Sequence, residues 1–132
     1  MIVEDRNEYV KYRIESAKKT FEAAKVLAEN EFWNSAVNRL YYAVFYAVNA
    51  LLVVNEIQTK SHSATKSQFS LCFVKTGKFD KKYGKLLSEL FDWRQKGDYE
   101  NIFDYDNASV QPLFKPVREM IELIEKEINN NL

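Results

Sequence analysis

Glycine, proline and cysteine are scarce in this chain of 132 residues, which has three, two and one of them. So little turn-forming material disfavours hairpins, and neither GxGxxG nor GxxxxGK followed by Ser or Thr is present. Nucleotide enzymes of the Rossmann and P-loop types are therefore not expected. The single cysteine, Cys72, can form no internal disulfide.

Only one histidine, His62, is present, which limits the metal chemistry open to the chain. Carboxylate-bridged metals in helical bundles need Glu-x-x-His pairs, and no glutamate stands three residues before His62. Cys72 and His62 together provide too few ligands for zinc. We therefore expect no metal site and no cofactor.

Neither sign of charge is in excess, since 19 Lys and Arg residues balance 19 Asp and Glu residues. Binding to nucleic acid or a membrane would therefore need a local patch. The first residues, MIVEDRNEYV, lack the basic-then-apolar layout of a signal peptide, so a cytoplasmic location is the default expectation. The length fits a single domain, residues 1–132, and 46% apolar residues can build a real core.

The stretch Tyr41 to Val54, YYAVFYAVNALLVV, has one polar side chain, Asn49. A helix that is apolar around its whole circumference must be covered on every side by protein or lipid. This stretch has 14 residues and would be about 21 Å long as a helix, whereas a helix that spans a bilayer needs roughly 20 apolar residues. We predict the central helix of an all-α bundle and no membrane insertion.

Amphipathic spacing predicts the helices that cover the central one, with apolar residues at steps of three and four from Val10 to Ala28 in the first and from Val110 to Ile128 in the last. Ser63 to Lys75 forms a short helix, Gly77 a left-handed C-cap, Asp80 an N-cap and Gly97 the next stop signal. Pro112 is tolerable in a first turn, whereas Pro116 should bend its helix. The predicted fold is an all-α, up-and-down bundle of about five helices, four main ones and a short one: 5–29, 33–55, 63–75, 80–96 and 107–129, with 98–106 as a loop.

Arg94 continues the apolar stripe of the fourth helix, where burial of a charge requires a partner. One interpretation is a structural ion pair with Asp98. The other is an arginine presented at a cleft for phosphate, with Asp98, Tyr99 and the following loop around it, because the planar guanidinium forms paired bonds to phosphate oxygens.

A second group of polar residues precedes or opens helices. Asn38 and Tyr42 share one side of the central helix with Phe45, although aromatic residues at this spacing also suit a core. Lys60 and His62 precede the third helix, where a solvated capping loop is the alternative to a binding role.

Four segments in this order resemble the HEPN domain: NRLYYAVFYAVNALL (38–52), KSH (60–62), FSLCFVKTGKFD (69–80) and RQKGDY (94–99). The resemblance extends from about Val10 to Ile128. It implies a compact bundle, commonly dimeric with a groove at the dimer interface, that binds nucleotide or RNA. Many family members are encoded beside a minimal nucleotidyltransferase in toxin–antitoxin pairs.

In the ribonuclease branch of that family, four to six residues separate a catalytic Arg from a His. Arg94 matches the Arg, but Tyr99, Glu100 and Asn101 occupy the positions for the His. Asp98, Glu100 or His62 would have to replace it, so catalytic residues stay unassigned. The expected nucleotide- or RNA-binding residues are Arg94, Asp98, Tyr99, Asn38, Tyr42, Lys60 and His62.

Three functions stay open: a nucleotide- or RNA-binding protein, a divergent metal-independent ribonuclease, and a non-catalytic interaction subunit. Surplus apolar groups near Arg94 favour a homodimer, unless they simply close the core. These groups are Phe79, Phe91, Trp93, Ile102 and Phe103.

Overall fold

The computed structural model describes residues 2–99 and 103–132, and this part of the chain folds into a bundle of five helices without a strand. Because α3 continues into a π-helical turn, Ser70–Val74, both are treated as one unit. The all-α prediction is confirmed. The helices are α1 Val3–Glu29, α2 Trp33–Val54, α3 His62–Phe69, α4 Lys81–Tyr99 and α5 Asn107–Asn129.

The second helix is the centre of the bundle and contacts each of the other four helices. By length and composition alone it could cross a membrane, yet 61% of its most apolar window is buried in the bundle, as in the core helix of a soluble protein. The expectation that it is covered on every side is not fully met. One side of the helix remains only half-buried, and it carries Tyr42, Phe45, Tyr46 and Asn49.

Apolar spacing placed the cores of α1 and α5 correctly. Every residue of the stripe predicted for α1 is buried, from Val10 to Ala28, and the same holds for α5 from Val110 to Ile128. Helix α5 continues through Pro112 and Pro116. Pro112 lies in the second turn rather than the first, and it is exposed, so the carbonyl that its missing N–H leaves unpaired can be hydrated.

Two of the predicted turn signals are realised, since Gly77 has φ +81° and Asp80 Oδ1 accepts from Lys82 N at 2.9 Å. Ser61 caps α3 through Oγ, which accepts from Ala64 N at 3.0 Å. Gly97 is the exception, because α4 runs through it to Tyr99. Asp98 and Tyr99 are therefore helical, and the predicted loop 98–106 was wrong at its start.

Close packing explains why a glycine stands at position 97 inside the helix. A Cβ atom there would lie 3.2 Å from the Tyr105 ring and 3.6 Å from Asn34. Tyr105 cannot retreat easily, because its ring stacks on Trp93 at 4.9 Å and its hydroxyl donates to the Trp93 carbonyl. Phe103 meets the same ring edge-on at 4.7 Å. Trp93 and Phe103 thus close the core at this end, as the buried Phe79 does elsewhere, while Ile102 lies outside the described residues.

Candidate functional site

Arg94 is the one charged side chain that is buried in the described part of the chain, with 8% of its surface exposed. Its guanidinium lies 5.0 Å from the Tyr41 ring centroid, 5.6 Å from that of Tyr42 and 6.0 Å from that of Phe91. Its Nε atom has no hydrogen-bond partner among the described residues. The burial of Arg94, which its position on the apolar stripe of α4 predicted, is therefore confirmed.

The predicted ion pair between Arg94 and Asp98 is absent. Asp98 Oδ2 instead accepts from Asn38 Nδ2 at 2.9 Å, across to α2. Within residues 2–99 and 103–132, Arg94 has no carboxylate at ion-pair distance. Aromatic faces attract a cation but do not neutralise it, so no described group neutralises the Arg94 charge.

Tyr41 connects Arg94 to His62. Its ring is under the guanidinium, and its hydroxyl oxygen lies 2.6 Å from His62 Nδ1. His62 is the first residue of α3 and stacks on Phe45, with centroids 4.3 Å apart and an interplanar angle of 14°. The only histidine thus lies beside the buried arginine, although 31 residues separate them in sequence.

Burial sets the protonation states of this pair. It raises the pKa of Tyr41 to about 12, against the opposing effect of the Arg94 charge, so the phenol keeps its proton at neutral pH. Burial, and then the Arg94 charge, lower the pKa of His62. A neutral imidazole has one N–H donor and one free acceptor, so His62 can exchange a proton with a ligand while Tyr41 holds its other nitrogen.

The lowered pKa of His62 predicts a loss of stability in mild acid. Above the unfolded-state pKa of about 6.5 His62 is neutral in both states and contributes no pH dependence. As the pH falls below that value, the unfolded state binds the proton first, so the free energy of unfolding declines until the lower folded-state pKa is reached. Urea titrations at pH 7.5 and 5.5 should show a smaller decline for His62→Gln than for wild type. Equal declines would contradict it.

Asn38 and Tyr42 lie close to Asp98 and Arg94, respectively. Arg39 donates from Nε and Nη2 to Asn38 Oδ1, at 3.0 and 2.8 Å, and its guanidinium lies 5.1 Å from the Tyr42 centroid. Asn38 therefore links Arg39 to Asp98, and Tyr42 lies between Arg39 and Arg94. An open depression of about 510 Å³ lies here and is lined by Asn38, Arg39, Asp98, Leu27 and Ser35.

Lys60 and Tyr99 take no part in these contacts within the described residues. Lys60 is exposed, and Tyr99 is 73% exposed at the end of α4. Glu100 and Asn101 lie outside the described residues. Of the seven expected residues, the structure brings five into one cluster: Arg94, Asp98, Asn38, Tyr42 and His62.

Sequence reasoning missed Tyr41 and Lys66. Tyr41 was treated as core, and it is indeed 1% exposed, but a buried hydroxyl needs a polar partner and this was the available signal. Lys66 Nζ lies 4.6 Å from the Phe91 ring centroid, on the α3 side of the site, and adds a second cation there. No group of three His, Cys, Asp or Glu side chains that could hold a metal ion occurs among the described residues.

Comparison with known proteins places this bundle in a family. The HEPN domain model matches residues 10–128, so the chain belongs to the HEPN domain family, as its sequence segments predicted. A "UPF0332 protein" of Thermotoga maritima is 34% identical over 126 residues, which cover 96% of each chain.

Two relatives from Methanocaldococcus jannaschii are named "Putative toxin". One is 40% identical over 87 residues, which cover 66% of this chain and 59% of the relative. The other is 34% identical over 99 residues, which cover 75% of this chain and 74% of the relative. This chain is thus a HEPN-domain protein with relatives that are named toxins.

Proposed function

We propose that this HEPN-domain protein binds the phosphate of a nucleotide or of RNA at Arg94, with Asn38, Tyr42 and His62 around the ligand. The observation that carries the proposal is the buried Arg94 guanidinium without a carboxylate partner in the described chain. A buried cation is costly unless an anion neutralises it, and the guanidinium fork fits phosphate oxygens.

The surroundings of Arg94 also favour an anion. The first turn of α3 begins at His62, so the positive end of its backbone dipole lies on the same side as Arg94. Lys66 is one turn further along α3, and Arg39 flanks Tyr42. The rings of Tyr42 and Phe45 are half-buried and provide apolar edges that a base can contact.

Binding assays with Arg94→Met test this proposal. Methionine keeps the apolar stem and removes the charge, and we expect ATP and a short RNA to bind at least tenfold more weakly, the loss typical of one charge-assisted contact. Arg118→Met is the matched control, because Arg118 is exposed and pairs with Glu122 on α5. Equal binding by wild type and a folded Arg94→Met protein would remove Arg94 from the site.

A metal-independent ribonuclease is the second candidate, and one observation favours it. His62 lies beside Arg94, with Tyr41 between them, and imidazole can take the proton of an RNA 2′-hydroxyl near neutral pH. Incubation of labelled RNA with a chelator should give products with cyclic phosphate ends, and both His62→Gln and Arg94→Met should abolish them. RNA that stays intact, or is cut equally by Arg94→Met, contradicts this candidate.

The partners belong to the same proposal: a cytoplasmic homodimer that works with a minimal nucleotidyltransferase as a toxin–antitoxin-like pair. The names of the M. jannaschii relatives support the pair. Exposed apolar side chains support the dimer, since Val26, Phe32 and Tyr99 are 56%, 60% and 73% exposed at the end of the bundle where α2 begins. If neither nucleotide nor RNA binds while a protein partner copurifies, the chain is a non-catalytic interaction subunit.

A further inference from the structure

The arginines of this chain fall into two groups. Arg6 and Arg118 pair with Glu56 and Glu122, at 2.8 and 4.0 Å. The other three have no ion pair within the described residues, and each has its guanidinium over at least one tyrosine ring. In a protein with no net charge, these three stand out as cations that no described carboxylate pairs with. They are Arg13, Arg39 and Arg94.

Short contacts connect these arginines along the half-buried side of α2. The Arg94 guanidinium is 5.6 Å from the Tyr42 centroid, the Tyr42 and Tyr46 centroids are 5.9 Å apart, and Arg13 is 5.0 Å from Tyr46. We call this continuous set, from α4 across α2 to α1, the arginine–tyrosine row. It has Arg94 at one end and Arg13 at the other, and Arg39 lies beside Tyr42.

The Arg13 end is built around three tyrosines. Arg13 Nε donates to Tyr9 Oη at 3.0 Å, and that hydroxyl donates to Asn49 Oδ1 at 3.0 Å, which fixes the guanidinium in place. The Nη groups of Arg13 make no other hydrogen bond among the described residues. The Tyr12 ring lies 5.9 Å from the guanidinium and is 64% exposed, so one of its faces is open to a ligand.

We propose that the arginine–tyrosine row binds a single-stranded nucleic acid, and that Arg13 with Tyr12 is a second contact point that engages the strand beyond Arg94. Single-stranded binding surfaces combine cations that follow the phosphate backbone with aromatic rings on which bases stack. The row provides both, at intervals of 5 to 6 Å. This inference rests on the proposed function, because the Arg94 site forms one end of the row.

A second copy of the chain fits this surface less well than a polyanion does. A two-fold interface applies the same patch to itself, so three unpaired arginines would face three others. Like charges across an interface oppose association, and the carboxylate of Asp98 at one end is already bonded to Asn38. A strand of phosphates instead neutralises each arginine in turn.

Fluorescence anisotropy with a labelled single strand of about twelve nucleotides tests the row, since known site sizes reach about that length. Arg13→Gln and Tyr12→Ala should each weaken binding about tenfold, and Arg13→Gln should also lower the slope of log affinity against log salt by about one. AMP, whose single phosphate can occupy only one end of the row, should bind both variants as it binds wild type. Arg118→Gln is the matched control and should change neither ligand's affinity.

The outcomes separate this inference from the proposed function. If Arg13→Gln and Tyr12→Ala bind the strand like wild type while Arg94→Met does not, the row is overturned and the Arg94 site stands. If Arg94→Met also binds like wild type, both proposals fail. If Tyr12→Ala leaves binding intact but turns a dimer into a monomer in light scattering, the row is an interface between copies. Weaker binding of RNA alone, or of RNA and DNA alike, supports the row and shows whether the 2′-hydroxyl is read.

Discussion

Replacing Asn34 with leucine should lower the free energy of unfolding by about 3 kcal/mol, because this side chain bonds both to the end of α4 and to the connection between α4 and α5. Asn34 Nδ2 donates to the carbonyls of Phe103, at 2.7 Å, and Gly97, at 3.3 Å. Its Oδ1 accepts from Tyr105 N at 2.8 Å. Leucine leaves these backbone groups without their partner, and each buried unsatisfied group costs about 1–3 kcal/mol.

Urea denaturation of Asn34→Leu measures this loss. The matched control is Asn131→Leu, since Asn131 is exposed near the C-terminus and bonds only to Glu127. We expect the control to stay within about 0.5 kcal/mol of wild type. A loss for Asn34→Leu no larger than that of the control would show that water replaces these bonds.

Phe69→Ala should be the most destabilising single change, lowering the free energy of unfolding by about 3–5 kcal/mol. Phe69 is fully buried, and its ring lies 6.1 Å from Phe73 and 5.7 Å from Phe79. Thr65, Phe69 and Phe73 are the buried residues of α3 and its π-helical turn, and Phe69 is the only buried apolar residue in α3 itself. Its loss should also release His62 from Tyr41.

Leu71→Ala is the control for this change, because Leu71 lies in the adjoining π-helical turn but is 55% exposed. Thermal unfolding of both variants gives the difference in stability, and the His62 imidazole resonances in NMR spectra report its contact with Tyr41. A Phe69→Ala protein as stable as Leu71→Ala would mean that α3 is held by other contacts.

Periodicity predicted most of the fold. The steps of three and four that place Val10, Ile14 and Phe21 on one side of α1 follow from helix geometry alone, and so does the buried stripe of α5. Gly97 misled the prediction because a glycine after a lysine suits a helix end as well as a close contact. Only the positions of Asn34 and Tyr105, distant in sequence, show that close contact is the reason.

The candidate site was predictable in part for the same reason. Arg94 on an apolar stripe, and Asn38 with Tyr42 on one side of α2, are local patterns. The pairing of Tyr41 with His62 depends on how α3 crosses α2, which no local pattern reveals. Asp98 bonds to Asn38 and not to the expected Arg94, and this choice likewise depends on the direction in which α4 faces α2.

Helix α3 is held to the bundle by few buried side chains, and this affects motion at the site. Helices with few buried side chains open locally at a lower free-energy cost than the whole molecule unfolds, and α3 with its π-helical turn buries only Thr65, Phe69 and Phe73. Arg94 and Tyr41 belong to the densely packed α4 and α2, whereas His62 and Lys66 travel with α3. A ligand that touches both sides holds α3 closed, so occupancy and local order rise together. If the site binds a ligand as proposed, we expect local opening of this one short helix to admit it while the other helices stay packed.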